Sequence, residues 1–511
     1  MSWIATLIVI ILYLFFVLFL GSMAGRKRES SVVEYIAASR NLGFFVMYFL
    51  MGGAIFSAFA YLGGPGWAYS KGAASFYILG YCALGLVPWW LWGPRAERAG
   101  KKYRYVTQAQ LFADRFQSKA LSVIIAVVSV LAFIQYITLQ MKGSAYVFEI
   151  ASGGRIPFWA GALIAYVVVV AYVFMGGVRG VAWTNVFQGA FMVIMAWILG
   201  LYFAYALYDG PSNMFREIAQ ASPTHLLVGP GTKMSYAAFF SALLVSVLGF
   251  SMWPHLFMKA YTAKSEKVLK QTILLYPSFA IFMVPVLFIG FAGIKQVTPE
   301  VLGAPDRILP WMFTNMNFHP IVVGLILAAA LAAAMSTQDT ITHAAGSIFA
   351  QDLVEPFKKE KHTEKEATMW IRTSVVGFGL VSYLVAIFGG QTLVSLLLGA
   401  YGSIVQLLPL AAATFFWPRA TKAGAICGIL VGVGYNYLIV LKMTPKLWDI
   451  HAGIQGLVIN IIVLVVVSLL TKPMEITHVR KFVTLMDTKP LPEQPAAREP
   501  MPDTPAAEEP A

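Results

Sequence analysis

Apolar stretches of membrane-crossing length recur along this chain from residue 3 to residue 471. A helix needs about 20 consecutive apolar residues to cross a hydrocarbon core. The stretches lie at about 3–20, 42–64, 74–93, 120–150, 157–176, 184–208, 236–257, 271–294, 320–343, 372–390, 392–417, 423–442 and 452–471. They predict an all-α polytopic membrane protein with about 13 spans. Composition agrees: 59% of residues are hydrophobic and only 12% are charged, against about 25% charged in a soluble domain. A soluble enzyme, a nucleic-acid-binding module and a disordered scaffold are excluded on that ground. The first stretch is too long for a signal-peptide core and lacks a preceding basic region, so it reads as a retained span. Cys82 and Cys427 both sit in apolar stretches and imply no disulfide framework.

The net charge of +13 reflects Lys and Arg gathered on cytoplasmic loops rather than a nucleic-acid partner. With the N-terminus outside, the first inside loop holds Arg26, Lys27, Arg28 and Arg40, and the next holds seven Lys or Arg between residues 95 and 119. Lys259, Lys264, Lys267 and Lys270, then Lys358, Lys359, Lys361 and Lys365, fall on later inside loops. The outside loops are sparse in positive charge. The pattern predicts a cell-membrane protein with its C-terminus inside. The outside loops 209–235 and 295–319 are long enough for short surface helices. Residues 472–511 turn rich in Pro, Glu and Ala. They are expected to be a disordered cytoplasmic tail, too short for an appended domain.

Two spans carry backbone interruptions. The second contains Gly52-Gly53 and ends in Gly63-Gly64-Pro65-Gly66; the seventh reads Gly249-Phe250-Ser251-Met252-Trp253-Pro254-His255. Within a bilayer, a broken helix must line a cavity or be buried in protein. Broken helices in corresponding positions of two halves point to an inverted-repeat transporter, and a separation of five spans fits a five-plus-five repeat. The plainer alternative is close packing or a kink. The ninth span turns polar at Ser336-Thr337-Gln338-Asp339-Thr340. Ser336, Asp339 and Thr340 share one helix face, an oxygen set suited to a hard cation such as Na⁺. Hydroxyls that bond back to their own helix are the competing account, but a buried Asp marks a functional site by default.

Three stretches together resemble the sodium:solute symporter family, whose members carry proline, pantothenate, sugars, sialic acid and short monocarboxylates. They are 171–188, with Tyr172, Gly176-Gly177, Trp183-Thr184-Asn185 and Gln188; Arg419 with Gly424-Ala425, Gly428 and Gly432; and Met335-Ser336-Thr337. The resemblance covers about 3–470. It implies the LeuT-type fold, an inverted five-plus-five repeat with extra helices at the N- and C-termini. The organisation then expected is an N-terminal span and loop (1–41), a first repeat (42–208), an external loop (209–235), a second repeat (236–417), two C-terminal spans (418–471) and the tail (472–511). It also implies a sodium site at the carbonyls of Gly53, Phe56 and Ala333 and the hydroxyls of Ser336 and Thr337. This chain departs from relatives in carrying Ile55 and Asn185 where some have Asp. Asn185, Asp339 and Thr340 are therefore candidates for further cation binding. Two roles stand open for Asp339: supplying the missing charge, or carrying a proton.

The solute site is expected at the broken helices, from Ser57, Tyr61, Tyr136, Gln140, Lys142, Trp253 and Gln406. A cation as deep as Lys142 would attract an anionic solute; snorkelling or pairing with Glu149 are the alternatives. His255 reads as a packing or capping residue before a proton relay. The expected function is cation-coupled import, sodium favoured, of a small organic solute, foremost a short monocarboxylate. A proline-like amino acid, pantothenate, proton coupling, or a transporter-like sensor with a separate partner are the alternatives. No catalytic motif argues for an enzyme. No cofactor is expected beyond Na⁺ as the coupling ion, and the oligomeric state is open.

Overall fold

The structure, a computed structural model, describes residues 2–25, 31–316, 318–358, 363–389 and 393–487. Arg26, Lys27, Arg28, Lys359, Lys361 and the tail beyond residue 487 lie outside the described residues. Among the described residues the chain is helical throughout and forms no strand; a single backbone bridge joins Leu42 to Ala263. Nine continuous helices are long and apolar enough to cross a membrane, and two bent pairs raise the number to eleven.

Two features reconcile these helices with about 13 spans. The helix Phe158–Tyr208 has 51 residues and would run about 76 Å if straight, twice a membrane. It is divided at Gly177 (φ 52°, ψ −155°), where a Cβ would meet the Tyr35 ring at 2.7 Å. Spans 5 and 6 lie on either side. The stretch Phe59–Leu84 likewise holds the second half of span 2, a turn at Gly72 (φ 61°) and the start of span 3, which continues through Trp89–Tyr103.

Spans start where side chains cap the orphan amides of their first turn. Ser118 accepts from Leu121 N at the start of span 4 (Lys119–Ala151). Ser265 and Thr421 do the same for span 8 (Glu266–Gly293) and span 12 (Lys422–Val440). Burial then sorts the layers. The most apolar window of span 9 (Pro320–Phe357) is 78% buried, while those of span 1 (Trp3–Ala24) and span 13 (Ala452–Leu470) are 33% buried. Span 9 is thus the central strut, packed on spans 1, 2, 4, 5, 6 and 10. Outer spans turn Phe15, Phe19, Ile194 and Leu384 outward, as lipid-facing surface requires.

The long loops do form short helices, at Pro211–Ala221, Pro299–Leu302 and Ile308–Asn315, but the last buries five of its eight residues rather than lying on the surface. The start of the tail departs from expectation. Ile476–Val483 is a helix that buries His478, Val479 and Phe482. It docks on the basic end of span 3: Phe482 packs on Tyr103 and Arg98 Nη1 donates to Met486 O at 3.3 Å. Composition hid this helix because its apolar residues are few but share one face.

Candidate functional site

Both interrupted spans are broken. Span 2 runs Phe44–Ile55, breaks at Phe56 and Ser57, and resumes at a 55° bend through the wide turn Phe59–Gly63. Span 7 runs Tyr236–Phe250, opens at 251–253 and resumes as Pro254–Tyr261 with a 40° bend. Gly53 falls in the last turn before the first break, where helix carbonyls lose their amide partners. Span 9 supplies substitutes: Ser336 Oγ donates to Gly53 O at 2.9 Å and Thr337 Oγ1 lies 3.3 Å from it. Ser336 Oγ is also 3.2 Å from Ala333 O. All of these groups are buried. The geometry brings together the Gly53, Ala333, Ser336 and Thr337 oxygens beside the break at Phe56, a neutral, hard set that suits Na⁺.

A second oxygen cluster adjoins it. Asp339 Oδ2 accepts from Tyr172 OH at 2.9 Å and lies 3.2 Å from Thr184 Oγ1; Asp339 Oδ1 is 3.2 Å from Thr340 Oγ1. Asn185 Nδ2 donates to Thr340 Oγ1 at 3.1 Å, while Asn185 Oδ1 is buried with no partner. A Cβ on Gly53 would sit 3.3 Å from that same Oδ1, so the two clusters are contiguous. One carboxylate, three hydroxyls and an unsatisfied amide oxygen form a donor set for a cation. The sequence did not single out Tyr172 or Thr184 as partners of Asp339; only their presence in the 171–188 stretch pointed toward them.

Around the breaks the wall is aromatic. Trp253 lies 5.0 Å from Tyr136, 5.5 Å from Tyr401 and 6.1 Å, stacked, from Phe133, between ring centroids. Tyr81 joins Tyr401 at 5.9 Å, and Tyr276 joins Phe56 at 6.3 Å. Ser57 Oγ accepts from Phe59 N, and Gln140 Oε1 accepts from Ala58 N at 2.9 Å, so both steady the broken span. The hydroxyls of Tyr61 and Tyr276 are buried without partners. A buried unpaired hydroxyl costs free energy, which a solute's polar group would recover. Tyr81, Tyr276 and Tyr401 were missed at the level of sequence. Their signal is position: tyrosines belong in interfacial belts, and these are buried inside the bundle. His255 packs among Phe133, Tyr136 and Trp253, in keeping with a packing role.

Two expected solute residues point elsewhere. Gln406 Nε2 donates to Gly453 O at 2.9 Å and its Oε1 accepts from Asn460 Nδ2 at 3.2 Å. It ties span 11 (Leu393–Phe416) to span 13 rather than facing the aromatic wall. Lys142 Nζ donates to Gly389 O at 2.7 Å, toward the loop between spans 10 and 11. Nor does it pair with Glu149, which instead binds Arg307 at 2.8 Å. Long, flexible side chains follow whichever acceptor the fold brings near.

Lys142 lies beside a cluster of loops on the face opposite the basic loops. The turn Pro305–Arg307 wedges against the second half of span 2, with Pro305 O 2.9 Å from where a Gly66 Cβ would stand. Asp306 Oδ2 accepts from Leu393 N at 3.1 Å. Burial pushes the Asp306 carboxyl up from its ordinary 3.8 to about 6, while the Leu393 amide and the Lys142 ammonium pull it down. The folded value exceeds the unfolded one, so the folded protein binds more protons between them. The stabilisation is complete below the ordinary value and is lost as pH rises through about 6. Asp306→Asn, neutral at every pH, is expected to melt with the wild type near pH 4 and to be more stable at pH 7.5 by on the order of 2–3 kcal/mol. Thermal unfolding across that range checks this; a gap that does not change with pH contradicts it.

Known proteins resemble this chain in sequence and fold. The sodium:solute symporter family profile matches residues 35–432. An uncharacterised symporter of Bacillus subtilis (strain 168), YhjB, is 32% identical over 480 residues, covering 92% of this chain and 97% of that protein. A sodium/proline symporter of Staphylococcus aureus is 27% identical over 485 residues, covering 91% and 93%. Among solved structures, a Na⁺-coupled sialic acid symporter in a substrate-bound outward-open state superposes with a TM-score of 0.78 at 21% identity, over 92% of this chain and 99% of that one. A nucleobase-cation-symport-1 family transporter superposes with a TM-score of 0.56 at 14% identity, over 88% and 98%. These two likenesses establish the LeuT-type fold.

Proposed function

The chain belongs to the sodium:solute symporter family, and we propose that it imports a short monocarboxylate together with Na⁺. It is a multi-pass sodium-coupled symporter and not an enzyme. The observation that carries the coupling reading is the closure of Ser336 and Thr337 of span 9 on the Gly53 carbonyl at the break in span 2. The basic loops face the cytoplasm in this reading, by the positive-inside rule. The Pro305–Arg307 turn then faces outward, and Na⁺ and solute enter from that side.

The aromatic wall with partnerless Tyr61 and Tyr276 hydroxyls suits a small solute with a compact apolar body and an oxygen-rich head. No acidic side chain lines that wall among the residues placed on it, which favours a plain carboxylate over a solute bearing an ammonium group. Lys142 contributes at the entrance, as the cation met there. A proline-like zwitterion is the second reading, favoured by the 27% identity to a sodium/proline symporter and by ring faces that can hold a cation.

The deciding experiment is uptake into proteoliposomes with Na⁺ and proton gradients imposed separately, using labelled acetate, propionate, lactate, pyruvate, proline and pantothenate. Na⁺-driven uptake of a monocarboxylate, competed by other monocarboxylates and not by proline, is the expected result. Uptake confined to proline returns the second reading. Accumulation that follows the proton gradient alone overturns sodium coupling.

A further inference from the structure

Span 7 carries a charge that neither the sodium site nor the aromatic wall uses. Lys259 lies on the turn Met258–Tyr261, at the end of the broken span's second half. It is only 4% exposed. Among the described residues its ammonium takes part in no ion pair and no hydrogen bond. An uncompensated buried ammonium is costly to hold, so its persistence calls for a role. The short helix Pro254–Phe257 before it packs directly on span 9. That packing places Lys259 within electrostatic range of Asp339 on span 9. His255 and His343 are the other titratable groups that sense it; His343 is already engaged with Tyr35 O at 2.9 Å.

We propose that Lys259 is a tethered counter-cation for Asp339: it repels the cation held beside that carboxylate and pairs with the carboxylate once the cation has left. The proposal rests on reading Asp339 as a cation ligand. Asp339 is buried on the rigid central strut, while Lys259 sits at the tip of a broken helix, the element that re-angles during alternating access. With a cation in the Asp339, Thr340 and Asn185 cluster, two positive charges share a low-dielectric space and each weakens the other's hold. Departure of the cation leaves a buried carboxylate alone. Approach of the lysine neutralises it, and the empty carrier can return without an uncompensated charge.

Two predicted signatures separate this role from packing. In Lys259→Met, the Na⁺ concentration that half-maximally raises the melting temperature falls about tenfold, because a repulsion has been removed. Net uptake also slows about tenfold or more, because the empty carrier must return with Asp339 bare. Solute counterflow, which never passes through the empty carrier, stays near the wild-type rate. Lys259→Arg keeps the charge and keeps both wild-type behaviours. If Lys259→Met does not accumulate, Lys259→Gln carries the same test. An unchanged Na⁺ requirement together with an unchanged ratio of net uptake to counterflow overturns the proposal. An Asp339→Asn protein whose Na⁺-induced stabilisation equals the wild type's instead overturns the reading of Asp339 as a ligand, and the role of Lys259 falls with it.

Discussion

Asp339→Asn is expected to raise the Na⁺ concentration for half-maximal uptake by about 10- to 150-fold, the equivalent of losing one charge-assisted interaction of 1.5–3 kcal/mol. The substitution keeps the shape of a fully buried side chain and removes its charge. The amide oxygen can take the place of Oδ2, which accepts from Tyr172 OH and Thr184 Oγ1, so the change tests charge rather than hydrogen bonding. Solute preference is expected to stay intact, because the aromatic wall is built from other residues. Uptake measured against Na⁺ at fixed pH, and against pH at saturating Na⁺, separates the two roles open to this carboxylate. A proton carrier loses its response to a proton gradient in Asp339→Asn and keeps its Na⁺ activation. A cation ligand does the reverse. A variant indistinguishable from wild type on both axes removes Asp339 from the mechanism.

The Ser336→Ala, Thr337→Ala double variant carries the other large effect. Each hydroxyl reaches the Gly53 carbonyl, which lies in the last turn before the break and lacks a helical partner. Removing both strips two of the proposed Na⁺ ligands and leaves a buried carbonyl without a donor. About 1–3 kcal/mol for each ligand places the combined loss of Na⁺ affinity at about 30-fold or more. Each single variant is expected to lose less. Half-saturating Na⁺ for uptake and for thermal stabilisation are expected to rise together. An unchanged Na⁺ requirement in the double variant would falsify the proposed site. A rise in uptake KM for the solute alone would assign these hydroxyls to the solute instead.

Much of the transporter was legible before any tertiary structure, because it is written in local rules. Span number follows from the length of apolar runs, which a bilayer of set thickness reads directly. The break at 251–253 follows from Gly249 and Pro254 on either side, since backbone freedom and the missing proline amide act on their own neighbours; span 2 instead breaks at Phe56 and Ser57, and Gly64-Pro65-Gly66, which the sequence reads as a stop, opens a continuing helix, Gly64–Lys71. The shared face of Ser336, Asp339 and Thr340 follows from helical period alone. What period could not supply was where long side chains end. The sequence places Lys142 at the site, yet its ammonium is taken by Gly389 O, 247 residues away in sequence. Gln406 is placed there too and instead bridges to Gly453 and Asn460. The partners of Asp339, of Asp306 and of the buried Lys259 depend on which distant elements pack together. A side chain with several rotatable bonds settles on the acceptor or charge that packing brings within reach, and only the tertiary structure decides which one that is.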